Sequence, residues 1–209
     1  MTTPPVASRP IGFVLRVPPS WWQFDVWRAN RTGDLARLID ARIAETPQLA
    51  HYRSTFLRLM REAAKTAEAN GAQLCVVSGD LVEEDGAMLA AMGMVFQTDG
   101  APDPVDNTVE AIAGQVNAVA PSDGSRRWRR VEIIDIDAGR AVRVYGVHPV
   151  QFNGPDRTAD VVMMQTLIPI PGGGGILNVV LTSPQVASAQ PMLDLFDAIS
   201  STLSWSSIN

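Results

Sequence analysis

The sequence predicts an α/β protein in which an antiparallel sheet of about six or seven strands is covered by helices on both faces. Three observations carry that expectation. From Arg127 onward the chain reads as strand after strand, 127–137, 141–147, 160–170 and 176–182, with links far shorter than a parallel crossover needs. The runs VVMMQTLIPI and ILNVVLT are almost continuously apolar, so both faces of that part of the sheet must be covered. Helix-periodic segments lie before, between and after the strands, where they can supply that cover.

Ile11–Val17 reads as a short strand stopped by Pro18-Pro19, behind a flexible tail over 1–10. Trp21, Trp22, Phe24 and Trp27 follow in what reads as an aromatic loop. Thr32 is placed to cap a helix with Leu35, Leu38, Ile39 and Ile43 on one stripe, and Pro47 ends it or opens the next. In the second helix Tyr52, Phe56, Leu59, Met60, Ala63 and Ala67 share a face, and Asn70-Gly71 is a stop. The stretches 72–82 and 87–98 form a hairpin through Glu83-Glu84-Asp85-Gly86, and a modest helix spans about 108–119. Ser188 or Pro191 starts a closing helix with Met192, Leu195, Phe196, Ile199 and Leu203 at helical spacing. No linker divides two cores, so residues 11–209 are expected to form one domain, with the helical pair at about 32–70 inserted into it.

The 209 residues are 46% hydrophobic and 19% charged, a globular balance, and the formal charge of −5 disfavours nonspecific nucleic-acid binding. The single cysteine, Cys75, allows no intramolecular disulfide, and with two histidines it makes no Cys-rich zinc site. MTTPPVASRP does not read as a signal peptide, and no stretch is apolar over the roughly 18 residues a membrane span requires. The expected compartment is the cytoplasm.

No catalytic residue, metal site or cofactor site emerges. Gly172 to Gly175 lead into a strand rather than through Gly-Lys-Ser/Thr into a helix, which makes a hairpin tip rather than a phosphate loop. Ser78-Gly79-Asp80 lacks a nucleophile elbow, and His51 and His148 are ordinary histidines by position. Glu83, Glu84 and Asp85 read as a solvated turn, while Asp135 and Asp137, alternating on one strand face, suit a hydrolase carboxylate pair and a solvent-facing edge equally. Two features survive as partner-binding candidates. Trp21 and Trp22 are consecutive large aromatics, a residue type enriched in binding hot spots, with burial at one end of the sandwich as the alternative. Arg126, Arg127, Trp128, Arg129 and Arg130 gather four cations around one indole in an acidic protein, with protection of a strand edge as the alternative.

The run LTSPQVASAQPMLDLFDAISSTLSW at 181–205 joins a strand ending in Thr-Ser-Pro to a helix of the form LFDAISSTL. With VPPSWW after the first strand, it resembles the PsbP-like fold family, which includes LpqN-type and related actinobacterial proteins, some linked to type VII export. The resemblance implies a sheet between helical layers and a role in docking onto other proteins, with no catalytic motif to carry over. The expected function is therefore a non-catalytic interaction or accessory module whose partner is another protein, with a homo-oligomer left open. The alternative is a small-molecule-binding protein or enzyme, with a pocket between the sheet and the inserted helices lined by Met88, Met92, Met94 and the early aromatics.

Overall fold

A computed structural model of the protein describes residues 11–26, 33–81, 88–118, 127–151, 158–172 and 175–207. Its strands are β1 (Ile11–Val14), β2 (Trp22–Asp25), β3 (Ala72–Leu81), β4 (Met88–Thr98), β5 (Trp128–Ile136), β6 (Gly139–Gln151), β7 (Thr158–Pro169), β8 (Ile176–Ser183) and β9 (Ser204–Ser207). The helices are α1 (Asp34–Glu45), α2 (Arg53–Ala69), α3 (Val109–Ala118) and α4 (Ala189–Ser201). Seven strands form one antiparallel sheet in the order β2-β3-β4-β8-β7-β6-β5, and β1 pairs with β9 in a separate ribbon.

The expected meander β5 to β8 and the hairpin β3–β4 are both present, and β4–β8 pairing joins them. After β4 the chain passes through α3 to the far edge and enters the sheet again as β5. That placement makes β5 an outer strand with β6 as its sole partner among the described residues.

Strand alternation divides the core between the two faces. On one face α4 seats Met192, Leu193, Phe196 and Ile199 against Val162, Met164, Ile168, Leu177 and Leu181. On the other, α1 and α2 pack Leu35, Ile39, Phe56 and Met60 over Phe24, Cys75 and Met94, while α3 sets Val109, Ile112 and Ala113 on Val142 and Val144. Helices therefore cover both faces of the sheet. Burial pushes the Cys75 thiol up to about 12, so at neutral pH it is a core side chain and not a nucleophile.

Several local expectations change. The aromatic loop is partly a strand, because Trp22-Gln23-Phe24-Asp25 alternates buried and exposed positions at the edge beside β3. The first strand ends at Val14 rather than Val17. Tyr52 and Leu59 are 41% and 38% exposed, since α2 seats a narrower stripe of Phe56, Met60, Ala64 and Ala67. Gly71, at φ 72°, ends α2 in the left-handed conformation its sequence position suggests. Met94 is buried and Met92 partly buried in the cluster under α1 and α2, so both fill core where a ligand pocket was the alternative. Thr32, Trp27 and the 83–85 carboxylates lie outside the described residues.

Candidate functional site: the arginine-rich edge strand

Of the partner-binding candidates, Arg126 lies outside the described residues, and Trp128, Arg129 and Arg130 open β5. The pleat sends Trp128, Arg130 and Glu132 to the α4 face and Arg129, Val131 and Ile133 to the α3 face. One run of cations in sequence is thus divided between two sides of a sheet.

Each arginine has its own setting. Arg127, just before the strand, donates from Nε to Asp160 Oδ1 at 2.8 Å in a partly buried ion pair. Arg129 donates from Nη2 to the Val116 carbonyl at 2.6 Å, placing a cation against the last turn of α3, where helix carbonyls lack partners. Arg130 is exposed and holds its guanidinium carbon 5.7 Å from the centre of the Trp128 ring. Trp128 in turn meets Tyr145 edge-on at 6.0 Å.

Tyr145 donates its hydroxyl to Glu132, and that bond to a carboxylate raises the phenol above its usual range, with burial adding to the effect. A crevice of about 160 Å³ opens beside them under α4, where Glu132, Arg143, Gln190, Asp194 and Asp197 converge. Arg143 is buried and spans from β6 to α4, donating to Asp197, to Ser200 Oγ at 3.0 Å and to Ser201 Oγ at 3.4 Å. Sequence reasoning missed this pair. The available signal was one arginine on the strand face that otherwise carries Ala141, Tyr145 and Val147.

Trp21 and Trp22 are brought to opposite sides of the sheet, at 7% and 6% exposure. Trp21 belongs to the cluster under α4 and Trp22 to that under α1 and α2, where it meets Phe56 at 5.2 Å. Alternation explains why consecutive indoles separate, and neither offers a surface to a partner. The interface role expected of them gives way to burial, and the arginine half of the candidate site is what remains at the surface.

The backbone of β5 matters as much as its side chains. The two-residue turn between Ile136 and Gly139 makes that pair hydrogen-bonded, so even-numbered residues of β5 direct their N–H and C=O groups to β6. Arg129, Val131, Ile133 and Asp135 direct theirs away from the sheet. Gly146 agrees with this phase, because a Cβ there would lie 1.9 Å from the inward Trp128 carbonyl oxygen. Ile133 is 41% exposed, one of the few large apolar side chains left in solvent among the described residues.

A second surface lies on the helix pair. Arg53, Arg58, Arg61 and Lys65 of α2 border a groove of about 720 Å³ whose apolar lining includes Leu35, Ala36 and Leu57. Arg53 is held by a two-point pair with Asp40, at 2.6 and 2.8 Å, and Arg58 by Glu62 at 3.7 Å.

Asp135 and Asp137 are exposed on and beside the β5–β6 turn. Among the described residues no group of three or more His, Cys, Asp or Glu side chains is placed to hold a metal ion. Ile170 N–H donates to the Gly175 carbonyl at 2.9 Å, closing the β7–β8 turn that the glycine run suggested. His51 is exposed against Tyr52, whereas His148 is partly buried on β6 with Nε2 unpartnered.

Burial, and secondarily the charge of Arg129, lowers the His148 pKa from its ordinary 6.5. The unfolded chain then takes up a proton more readily than the folded one below that value, so this histidine subtracts stability as pH falls through about 6.5 until the folded form also protonates. Urea denaturation across pH 5 to 8 should show a steeper acid-side loss for the parent than for His148→Gln. Equal slopes would remove His148 as a cause.

No helix among the described residues is long and apolar enough to cross a membrane. No protein-family model matches the sequence, and no curated protein matches it. Among solved structures, the chain is similar to one described as LpqN involved in cell envelope biogenesis of Mycobacterium tuberculosis. The two share 10% identity and a TM-score of 0.46, over 95% of this chain and 86% of that one. The likeness concerns the course of the chain and carries nothing to activity, ligand or partner.

Proposed function

We propose that this protein is a non-catalytic interaction module that receives an extended protein segment along the edge of its sheet at β5. The observation that carries the reading is a nine-residue outer strand whose odd-numbered backbone groups point away from the sheet. Such an edge is a template for strand addition, in which main-chain bonds supply affinity and neighbouring side chains supply selectivity. Arg130, held over Trp128, and the exposed Ile133 are the side chains at hand for that selection.

A proline at position 133 tests the backbone directly. Its missing N–H is one that β6 does not use, and proline is tolerated on edge strands in that phase. Ile133→Pro should keep the fold yet lose proteins that the immobilised full chain captures from its native host, whereas Ile133→Val, which keeps the N–H and an apolar β-branched side chain, should retain them. Capture of the same proteins by parent and proline variant would overturn the reading.

The groove on α2 favours a second reading, an anionic ligand with an apolar portion. Arg61 and Lys65 meet it together with Leu57 and Leu35. A long-chain fatty acid that raised the melting temperature of the parent but not of Arg61→Glu/Lys65→Glu would support it, and no shift in the parent would count against it.

A further inference from the structure

We infer that the strand received by β5 is β5 of a second copy of this chain, paired antiparallel about a twofold axis at Val131. The inference rests on the reading of β5 as a docking edge and names its occupant. Only residues of the same hydrogen-bonding phase can face each other in such a pair, so the axis must pass through one residue of β5.

Charge selects among these axes. Centring on Arg129 or Arg130 sets two arginines opposite each other, and centring on Glu132 or Asp135 sets two carboxylates opposite each other. Centring on Val131 sets Arg130 opposite Glu132 of the second copy, and Glu132 opposite its Arg130. Both fall at non-hydrogen-bonded positions, where cross-strand side chains approach most closely. The same register sets Arg127 opposite Asp135, and Trp128 opposite Ile134. Centring on Ile133 would leave Arg130 opposite Ile136 and Glu132 opposite Ile134, both without an opposite charge.

Apolar exposure agrees with the charge pattern. On the α3 face Val131 meets Val131 across the axis, and Ile133, the exposed apolar side chain of this strand, lies diagonal to it and opposite the aliphatic stem of Arg129 of the second copy. Glu132 accepts from Tyr145 through one carboxylate oxygen, leaving the other for the arginine of the second copy. Arg130 holds its guanidinium carbon 5.7 Å from the centre of the Trp128 ring and also lies against the Tyr145 hydroxyl, so its remaining N–H groups are the ones that reach Glu132 of the second copy.

The register can be tested with full-length chains by sedimentation velocity. The parent should show a concentration-dependent species of twice the 22.5 kDa chain mass. Arg130→Glu puts carboxylates opposite each other and Glu132→Arg puts arginines opposite each other, so each alone should weaken self-association at least tenfold. An equimolar mixture of the two should regain it, because each strand then supplies what the other lacks. The doubly exchanged Arg130→Glu/Glu132→Arg chain should also dimerise, which keeps the test decisive if one single variant melts early. A parent that stays monomeric up to its solubility limit overturns the inference, as does a mixture no better than its components. If the parent is monomeric but Ile133→Pro still loses captured proteins, self-pairing fails while the docking edge stands. A dimer untouched by Ile133→Pro places self-association elsewhere and overturns the inference, while the docking edge is decided by the capture comparison.

Discussion

Phe196→Ala is expected to lower unfolding stability by about 3–5 kcal/mol, the range for emptying a fully buried aromatic position. Phe196 has no measurable exposure and sits in the cluster that α4 forms with β7 and β8. Deleting the ring removes contacts with a rigid sheet that relaxes little, so the cavity adds to the lost transfer energy. In a chain of this size the melting temperature should fall by on the order of 10 °C. Urea denaturation with unchanged slope is the check, and Phe196→Leu should recover much of the loss by refilling volume. A cost below about 1 kcal/mol would mean that α4 is not integral to the core.

The helix carrying Phe196 was legible because its signal is local. Met192, Phe196 and Ile199 recur at helical spacing, and the same holds for Leu35 and Ile39 of α1 and for Phe56, Met60 and Ala67 of α2. The meander was legible for the same reason, since turns at 137–138 and 171–175 separate runs of strand length. Where contacts are distant in sequence, legibility ends. Nothing near Ile11 announces Ser207 as its partner, and nothing in β4 announces β8, yet that second pairing is what sends β5 to the outside. Four arginines within five residues look like one patch until the pleat separates Arg129 from Arg130. Trp22-Gln23-Phe24-Asp25 did carry a period of two, but four aromatics in seven residues drew attention to side-chain size instead.

The candidate site illustrates the same limit from the energetic side. A long outer strand needs something to keep it from indiscriminate pairing, and arginine and carboxylate side chains on β5 do that by penalising registers that bring like charges together. On the proposed reading, the residues that protect the edge are also those that select what may add to it. Under that proposal, protection and recognition are one set of charges acting on different partners.

The ion pair between a buried arginine of β6 and a half-exposed aspartate of α4 gives the second large effect, and it is asymmetric. The Arg143 side chain is 9% exposed whereas that of Asp197 is 53% exposed, so the cation is the desolvated partner. Asp197→Ala would leave the guanidinium among Ser200 and Ser201 hydroxyls without its anion, and breaking a buried pair in this sense costs about 3–5 kcal/mol. Glu132 faces Arg143 across β5–β6 and Asp194 borders the same crevice, so these carboxylates should hold the loss toward the lower end of that range. Arg143→Met behaves differently. It removes the buried charge itself, keeps an unbranched apolar stem against the sheet, and returns Asp197 to water, so its cost should be within about 1 kcal/mol of zero. In the double variant the missing anion no longer matters, and stability should follow Arg143→Met alone. Chemical denaturation of the parent, both single variants and the double variant closes the cycle, with a coupling of about 2 kcal/mol or more expected. Equal losses for Asp197→Ala and Arg143→Met would show instead that the pair's direct attraction, and not the desolvation of Arg143, governs this contact.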